Sequence, residues 1–333
     1  MRSPNHIEYK YINISLTNKK EQRIVLIMLT TILVGIMIQT HKPQILIDSN
    51  DSNAENPLWH PHHQYLYWTD IPCGEMFRYY PQTDTYERIY SGEPVGGFTI
   101  QEDGSLLLFK TKGTVEIWKE GEITTVIDSI PEAKDTRFND AIADPEGRVY
   151  SGIIATENTD GKLYRINLDG SYDVVADGLL LPNGMGFDRD YTCLYLTDSD
   201  LRTIYRFKYD RATGDLSDRQ ALIEIPENEG VPDGMTVDSE DYIWSARWDG
   251  AHLHRYSPDG QEVMRIPLPT DKVSCITFGG ENYDRMFIST ARDGNTCFSL
   301  QEKWSQDNPA GDIFHLQTGI KGRPELLSRI YVN

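Results

Sequence analysis

Four short segments place a carboxylate or carboxamide beside Gly or Pro a fixed distance ahead of an apolar run: Ala54-Glu-Asn-Pro57, Arg137-Phe-Asn-Asp140, Pro182-Asn-Gly184 and Pro232-Asp-Gly234. The run begins 11 residues after Glu55, 10 after Asn139, 11 after Asn183 and 10 after Asp233. In a circular repeat, equal offsets put four such side chains on one level around the axis, where they form a ring of oxygens. Two carboxylates with two neutral carboxamides suit a hard divalent cation such as calcium, magnesium or manganese. Asn-Gly and Asp-Gly are also ordinary turn formers, so the competing expectation is a set of unrelated turns. The matched offsets favour the ring.

The elements that must carry such a ring recur along the chain. Leu66-Tyr-Trp-Thr-Asp70, Leu106-Leu-Leu-Phe-Lys110, Val149-Tyr-Ser-Gly152, Leu194-Tyr-Leu-Thr-Asp198, Ile243-Trp-Ser-Ala246 and Met286-Phe-Ile-Ser-Thr290 are one strand type, with starts 40, 43, 45, 49 and 43 residues apart. Most are followed by a second strand, as in Leu163-Tyr-Arg-Ile166 or Leu253-His-Arg-Tyr256, and then by turns such as Leu168-Asp-Gly170 and Pro258-Asp-Gly260. Asp-Gly supplies the positive φ that a hairpin turn needs. A repeat of 40 to 50 residues is the length of a propeller blade, whereas sandwich strands come every 8 to 12 residues without a longer period. The expected fold is therefore all-β, a six-bladed β-propeller of four-stranded antiparallel blades over residues 43–333. Ile45-Leu-Ile47 is placed to complete the last blade beside Ile313-Phe-His-Leu316. Neither G-x-G-x-x-G nor a P-loop occurs, and no long amphipathic helix is discernible.

Composition narrows the partners. The 333 residues carry 51 Asp plus Glu against 32 Lys plus Arg, a net charge of −19. Such a surface repels phosphate backbones and anionic headgroups, so nucleic acid is not an expected partner and a cation is. No obligate protein partner is evident. Residues 1–36 differ, with five basic and two acidic side chains, or +3 against −22 for the rest. Ile24 to Ile38 is an apolar run of about 15 residues, short of the ~20 needed to span a bilayer. Residues 1–42 thus form an N-terminal extension with two readings. Translation from Met37 would give a cytoplasmic protein; a signal-anchor at residues 24–38 would leave the domain outside.

Taken together, Glu55-Asn-Pro-Leu-Trp59, Arg137-Phe-Asn-Asp140 with Asp144-Pro-Glu-Gly-Arg148, Leu181-Pro-Asn-Gly184, Val231-Pro-Asp-Gly234 and Phe278-Gly-Gly280 resemble, in order, the signature segments of the regucalcin (senescence marker protein) and gluconolactonase family, with its luciferin-regenerating relatives. The resemblance implies a six-bladed propeller with one divalent cation in its channel, calcium first, with zinc, manganese or magnesium as alternatives. It implies metal ligands Glu55, Asn183 and Asp233, and substrate contacts at Arg137, Asn139 and Glu157. The activity it implies is opening of sugar lactones, with the cation polarising the carbonyl or a water and Asp233 as general base. The planar fork of Arg137 suits hydroxyls or a carboxylate. Two departures adjoin the site: Ala141 and Asn56 stand where the family commonly has Gly.

Two alternatives use the same ring: a non-catalytic, calcium-binding regulatory propeller, and an esterase acting on other lactones or phosphotriesters. A pure cation holder has no need of Arg137, Asn139 and Glu157. Other candidates are weaker. His60-Pro-His-His63 reads as an exposed turn, and Asp48 to Asn53 lacks the Gly and Glu of a calcium loop. The four cysteines, Cys73, Cys193, Cys275 and Cys297, form no C-x-x-C pair and read as reduced, mostly buried thiols.

Overall fold

A computed structural model of the chain describes residues 42–292, 296–297 and 309–331. The apolar run at 24–38, and both expectations that rest on it, lie outside these residues. No helix among the described residues is long and apolar enough to cross a membrane.

Among the described residues, twenty-four strands form six four-stranded antiparallel sheets. Blade 1 is β2 (Ala54–Trp59), β3 (Leu66–Asp70), β4 (Glu75–Tyr80) and β5 (Thr85–Ser91), and blade 2 is β6 (Val95–Ile100), β7 (Leu106–Lys110), β8 (Val115–Lys119) and β9 (Glu122–Ile127). Blade 3 is β10 (Phe138–Ala143), β11 (Val149–Ile153), β12 (Gly161–Ile166) and β13 (Tyr172–Leu179), and blade 4 is β14 (Pro182–Phe187), β15 (Cys193–Asp198), β16 (Thr203–Tyr209) and β17 (Leu216–Glu224). Blade 5 is β18 (Val231–Val237), β19 (Ile243–Trp248), β20 (His252–Tyr256) and β21 (Glu262–Pro267). Blade 6 takes β22 (Lys272–Gly279), β23 (Arg285–Ala291) and β24 (Ile313–Leu316) from one end of the domain and β1 (Gln44–Ile47) from the other. Ile45 pairs with Phe314 and Ile47 with Ile313, so the ring closes as its apolar triplets predict.

The second strand of every blade is almost wholly buried, as in Leu66–Asp70 and Leu106–Lys110. Sheets stacked face to face cover both sides of these strands, which is why they read as near-continuous apolar runs. One core cluster runs from Phe109 in blade 2 through Phe138 in blade 3, with ring centroids 5.2 Å apart and edge to face. In blades 2 to 5 the turn after the innermost strand is tied by an Asp. Asp144 accepts from the amides of Glu146 and Arg148 and from Arg148 Nε, and Asp238 accepts from Glu240, Tyr242 and Trp244 Nε1.

Closure also overturns one expectation. Cys73 and Cys297, 224 residues apart, form a disulfide with their Cα atoms 4.7 Å apart. A linear reading sees no pairing at that separation; the ring makes blades 1 and 6 neighbours. Cys193 and Cys275 are free. The histidine turn needs a correction too. His62 and His63 are exposed, but His60 is buried, and its Nδ1 accepts from the amides of His62 and His63, each at 3.2 Å. The side chain folds back to satisfy the turn's own donors, and burial pushes its pKa down to about 4.

Candidate active site

The six innermost strands β2, β6, β10, β14, β18 and β22 surround the axis. In four of them the ladder breaks at the same place: between Glu55 and Leu58, Phe138 and Ala141, Pro182 and Met185, and Pro232 and Met235. An irregularity of this kind releases a residue from strict alternation and re-aims it. The released positions carry Asn139, Asp140, Asn183 and Asp233, while Glu55 pairs with Thr69 at the edge of the break in blade 1; all five are between 5% and 7% exposed despite their polarity.

Asn183-Gly184 and Asp233-Gly234 are therefore strand residues, and the turn-former expectation is overturned. Their glycines answer to crowding at the axis. A Cβ on Gly184 would stand 2.1 Å from the backbone nitrogen of Met235, and one on Gly234 would stand 2.3 Å from Cys275 Sγ. Neighbouring inner strands approach so closely that only hydrogen fits. Asn56, one of the two departures from the family pattern, has φ 48°. This left-handed conformation suits Gly or Asn, and Asn56 Oδ1 also accepts from the Phe98 amide at 2.7 Å, locking blade 1 to blade 2. Carboxylates outside the ring hold the chain entering it. Asp70 accepts from the amides of Ser52 and Asn53 ahead of Glu55, and Asp198 accepts from those of Leu180 and Leu181 ahead of Asn183.

Glu55, Asp140 and Asp233 share the ring with a single guanidinium, that of half-buried Arg137. Burial raises the Glu55 carboxyl well above its usual range, with Asp233 and Asp140 adding to the shift. Burial likewise raises Asp233, with Asp140 adding, and pushes Asp140 up to about 7 against the pull of Arg137. Arg137 Nη1 donates to Phe138 O at 2.9 Å and to Asn139 Oδ1 at 2.7 Å, and Asn139 Nδ2 donates to Pro182 O at 3.0 Å. Asn139 thus spans blades 3 and 4 while holding the guanidinium. Asn183 Nδ2 donates to Asp233 Oδ1 and to Ser199 Oγ, whereas Asn183 Oδ1 is buried with no hydrogen-bond partner. A buried orphan oxygen beside surplus carboxylate charge is what a cation would satisfy. The donor chemistry of Glu55, Asn183 and Asp233 therefore fits a divalent ion.

Glu157 is exposed, on the turn between β11 and β12. Phe138 at the start of β10 pairs with Ile153 at the end of β11, so that turn lies at the end of the channel where the inner strands begin. Two further residues at the ring are Asp140 and Cys275, which with Glu55 offer ligand atoms within 4.8 Å of one another. Asp140 stands next to the selected Asn139, and Cys275 precedes Met286 by 11 residues, the same offset as Glu55 and Asn183. Below the ring lies a cavity of about 90 Å³ lined by Asn56, Asp140, Thr236, Cys275, Thr277 and Glu325 among others. The C-terminal segment crosses this far end. Gly322 N donates to Tyr283 O, Thr277 Oγ1 to Glu325 and Ser328 N to Ile100 O.

Residues 53–292 match the sequence profile described as the SMP-30/Gluconolactonase/LRE-like region. The chain belongs to this family. Among its relatives, Pentonolactonase XacC of Haloferax volcanii is 40% identical over 288 residues, covering 86% of this chain and 97% of the relative. Human regucalcin is 29% identical, covering 84% and 96%. A luciferin-regenerating enzyme superimposes with TM-score 0.77 at 21% identity, covering 86% of this chain and 99% of its own. The calcium-binding regucalcin of Agrobacterium tumefaciens also has TM-score 0.77, at 22% identity, covering 86% and 97%. At these identities the solved structures establish the fold, and the expected family and architecture both stand.

Proposed function

We propose that this lactone hydrolase opens sugar-acid lactones with a single divalent cation held by Glu55, Asn183 and Asp233. The observation that carries the reading is the buried set of three carboxylates around one guanidinium, with the orphan Asn183 Oδ1 among them. The substrate class comes from the family and from the relative named a pentonolactonase. The cation supplies Lewis-acid polarisation of the lactone carbonyl and stabilises the charge that develops on its oxygen, a contribution of several kcal/mol. Calcium is the first candidate ion for an all-oxygen set.

The chain's own residues do the rest. Asp233, held by Asn183 Nδ2 and the Gly234 amide, takes the proton from the attacking water. The water oxygen bonds to the carbonyl carbon, the ring C–O bond breaks, and the departing ring oxygen takes up a proton to leave the open hydroxy acid. Arg137, with Nη1 committed to Phe138 O and Asn139 Oδ1, turns its remaining donors to sugar hydroxyls. Asn139 fixes that orientation, and Glu157 at the mouth accepts from substrate hydroxyls.

The test is a panel of five- and six-carbon sugar lactones assayed with metal-stripped and metal-restored enzyme, beside Asp233→Ala. Activity should vanish with the cation and return with it, and Asp233→Ala should lose both bound metal and turnover. Full metal occupancy in that variant would sink the ligand assignment. An ion-binding protein that opens none of the lactones would return the chain to the regulatory alternative.

A further inference from the structure

Cys275 brings a different donor to the ring. It lies on β22 of blade 6, paired with Ser289 just after the ladder shift that leaves Ser274 unpaired between Val273 and Cys275. It is 4% exposed and packs against Gly234, the residue after Asp233. Its Sγ lies within 4.8 Å of a carboxylate oxygen of Glu55 and one of Asp140, so three blades supply one sulfur and two oxygens to one point. Donors on a tetrahedral ion, at about 2.0–2.3 Å from it, stand about 3.5 Å apart, so a contraction of about an ångström completes the set. Asp140 and Cys275 also line the cavity of about 90 Å³ below the ring, which gives a bound ion room for a water. The Glu55, Asn183 and Asp233 set, in contrast, is all oxygen. Calcium, magnesium and manganese gain little from sulfur, whereas zinc, cobalt and cadmium bind thiolate strongly.

We propose that Glu55, Asp140 and Cys275 form an inner cation position that selects thiophilic divalent ions of the zinc, cobalt and cadmium class. It rests on the proposed function only in sharing Glu55 with the all-oxygen set. As the sulfur–metal bond forms, the S–H proton passes to solvent base. Because Glu55 serves both sets, hard and soft ions compete for the ring while resting at different depths in it.

The test uses the full chain, stripped of metal and titrated in parallel with Co²⁺, Cd²⁺ and Mn²⁺. Co²⁺ should develop a near-ultraviolet sulfur-to-metal charge-transfer band in the wild type. Cys275→Ser should abolish that band and weaken Cd²⁺ binding by at least about tenfold, while Mn²⁺ affinity stays within about twofold. Asp140→Asn should also weaken Cd²⁺ binding. Cys275→Ala, which removes the sulfur without burying a hydroxyl, carries the same comparison if the serine variant fails to fold. Mn²⁺ binding with no sulfur band from Co²⁺, or a band and Cd²⁺ affinity that survive in both Cys275 variants, overturns the inner position alone. Failure of the wild type to bind any of the three ions overturns the all-oxygen site as well.

Discussion

Asp140→Asn should stabilise the metal-free protein, increasingly so as pH rises. Asp140 and Glu55 present carboxylate oxygens within 4.8 Å of each other, both nearly inaccessible to water. At that separation and an effective dielectric of about 20, two ionised groups repel by about 3 kcal/mol. Proton linkage bounds the whole cost of charging Asp140, burial included. Its pKa stands at about 7 in the fold against an ordinary 3.8, and that difference corresponds to about 4 kcal/mol. The native state binds more protons than the unfolded chain between these two values. This stabilisation is therefore present below about pH 4 and lost as pH rises through 7. The amide cannot ionise, so the variant escapes the loss. Its stability relative to wild type should grow by up to about 4 kcal/mol between pH 4 and 8, or about 5–10 °C in Tm. Chemical and thermal unfolding in chelator, followed by near-ultraviolet circular dichroism at several pH values, measures this. Saturating Cd²⁺ should shrink the advantage, because wild type, with Asp140 among the proposed ligands, then gains about 2.7 kcal/mol at 100 times Kd while the variant binds the ion more weakly. A variant less stable than wild type at pH 8 in chelator, or a difference that does not change with pH, would refute the reasoning.

Arg137→Ala should lower kcat/KM by at least about tenfold with metal content retained, since the guanidinium is assigned to substrate and ligates nothing. Unchanged kinetics across the active lactones would leave Arg137 only its structural bonds to Phe138 and Asn139. Gly234→Ala places a methyl 2.3 Å from Cys275 Sγ and 2.7 Å from Cys275 Cα, so β18 and β22 must move apart. About 1–3 kcal/mol of stability should be lost, along with cation affinity at the adjoining Asp233. Wild-type denaturant midpoints and metal binding would show that the axis has slack.

Some of this architecture was local and therefore readable. Blade periodicity is a property of strand patterning, because each blade repeats the same buried second strand. Of the six starts expected, Leu66, Leu106, Val149 and Ile243 begin their strands, and Leu194 and Met286 lie one residue inside theirs. The closing contact of Ile45 to Ile47 with Ile313 to Leu316 followed from the need to leave no open edge. Asn139, Asn183 and Asp233 take the same place in their strands, the first residue freed at the break, as their near-equal offsets suggest, whereas Glu55 stays paired with Thr69 one place earlier.

What remained hidden depends on proximity across blades. Asp140 became a ring member only once the break after Phe138 freed two consecutive polar residues of β10, an event invisible to a pattern of alternation. Cys275 had the right offset, but a thiol in an apolar strand reads as core until Gly234, Glu55 and Asp140 are seen around it. The Cys73–Cys297 bond joins positions that only ring closure makes adjacent, and His60 is buried because its own turn needs an acceptor. Sequence determined the repeat, the closure and the kinds of donor at the axis, because these are set by residues near in the chain. The tertiary structure alone decided which donors share one buried volume, and hence the surplus of carboxylates at the axis, because desolvation and mutual repulsion arise only when distant strands enclose the same space.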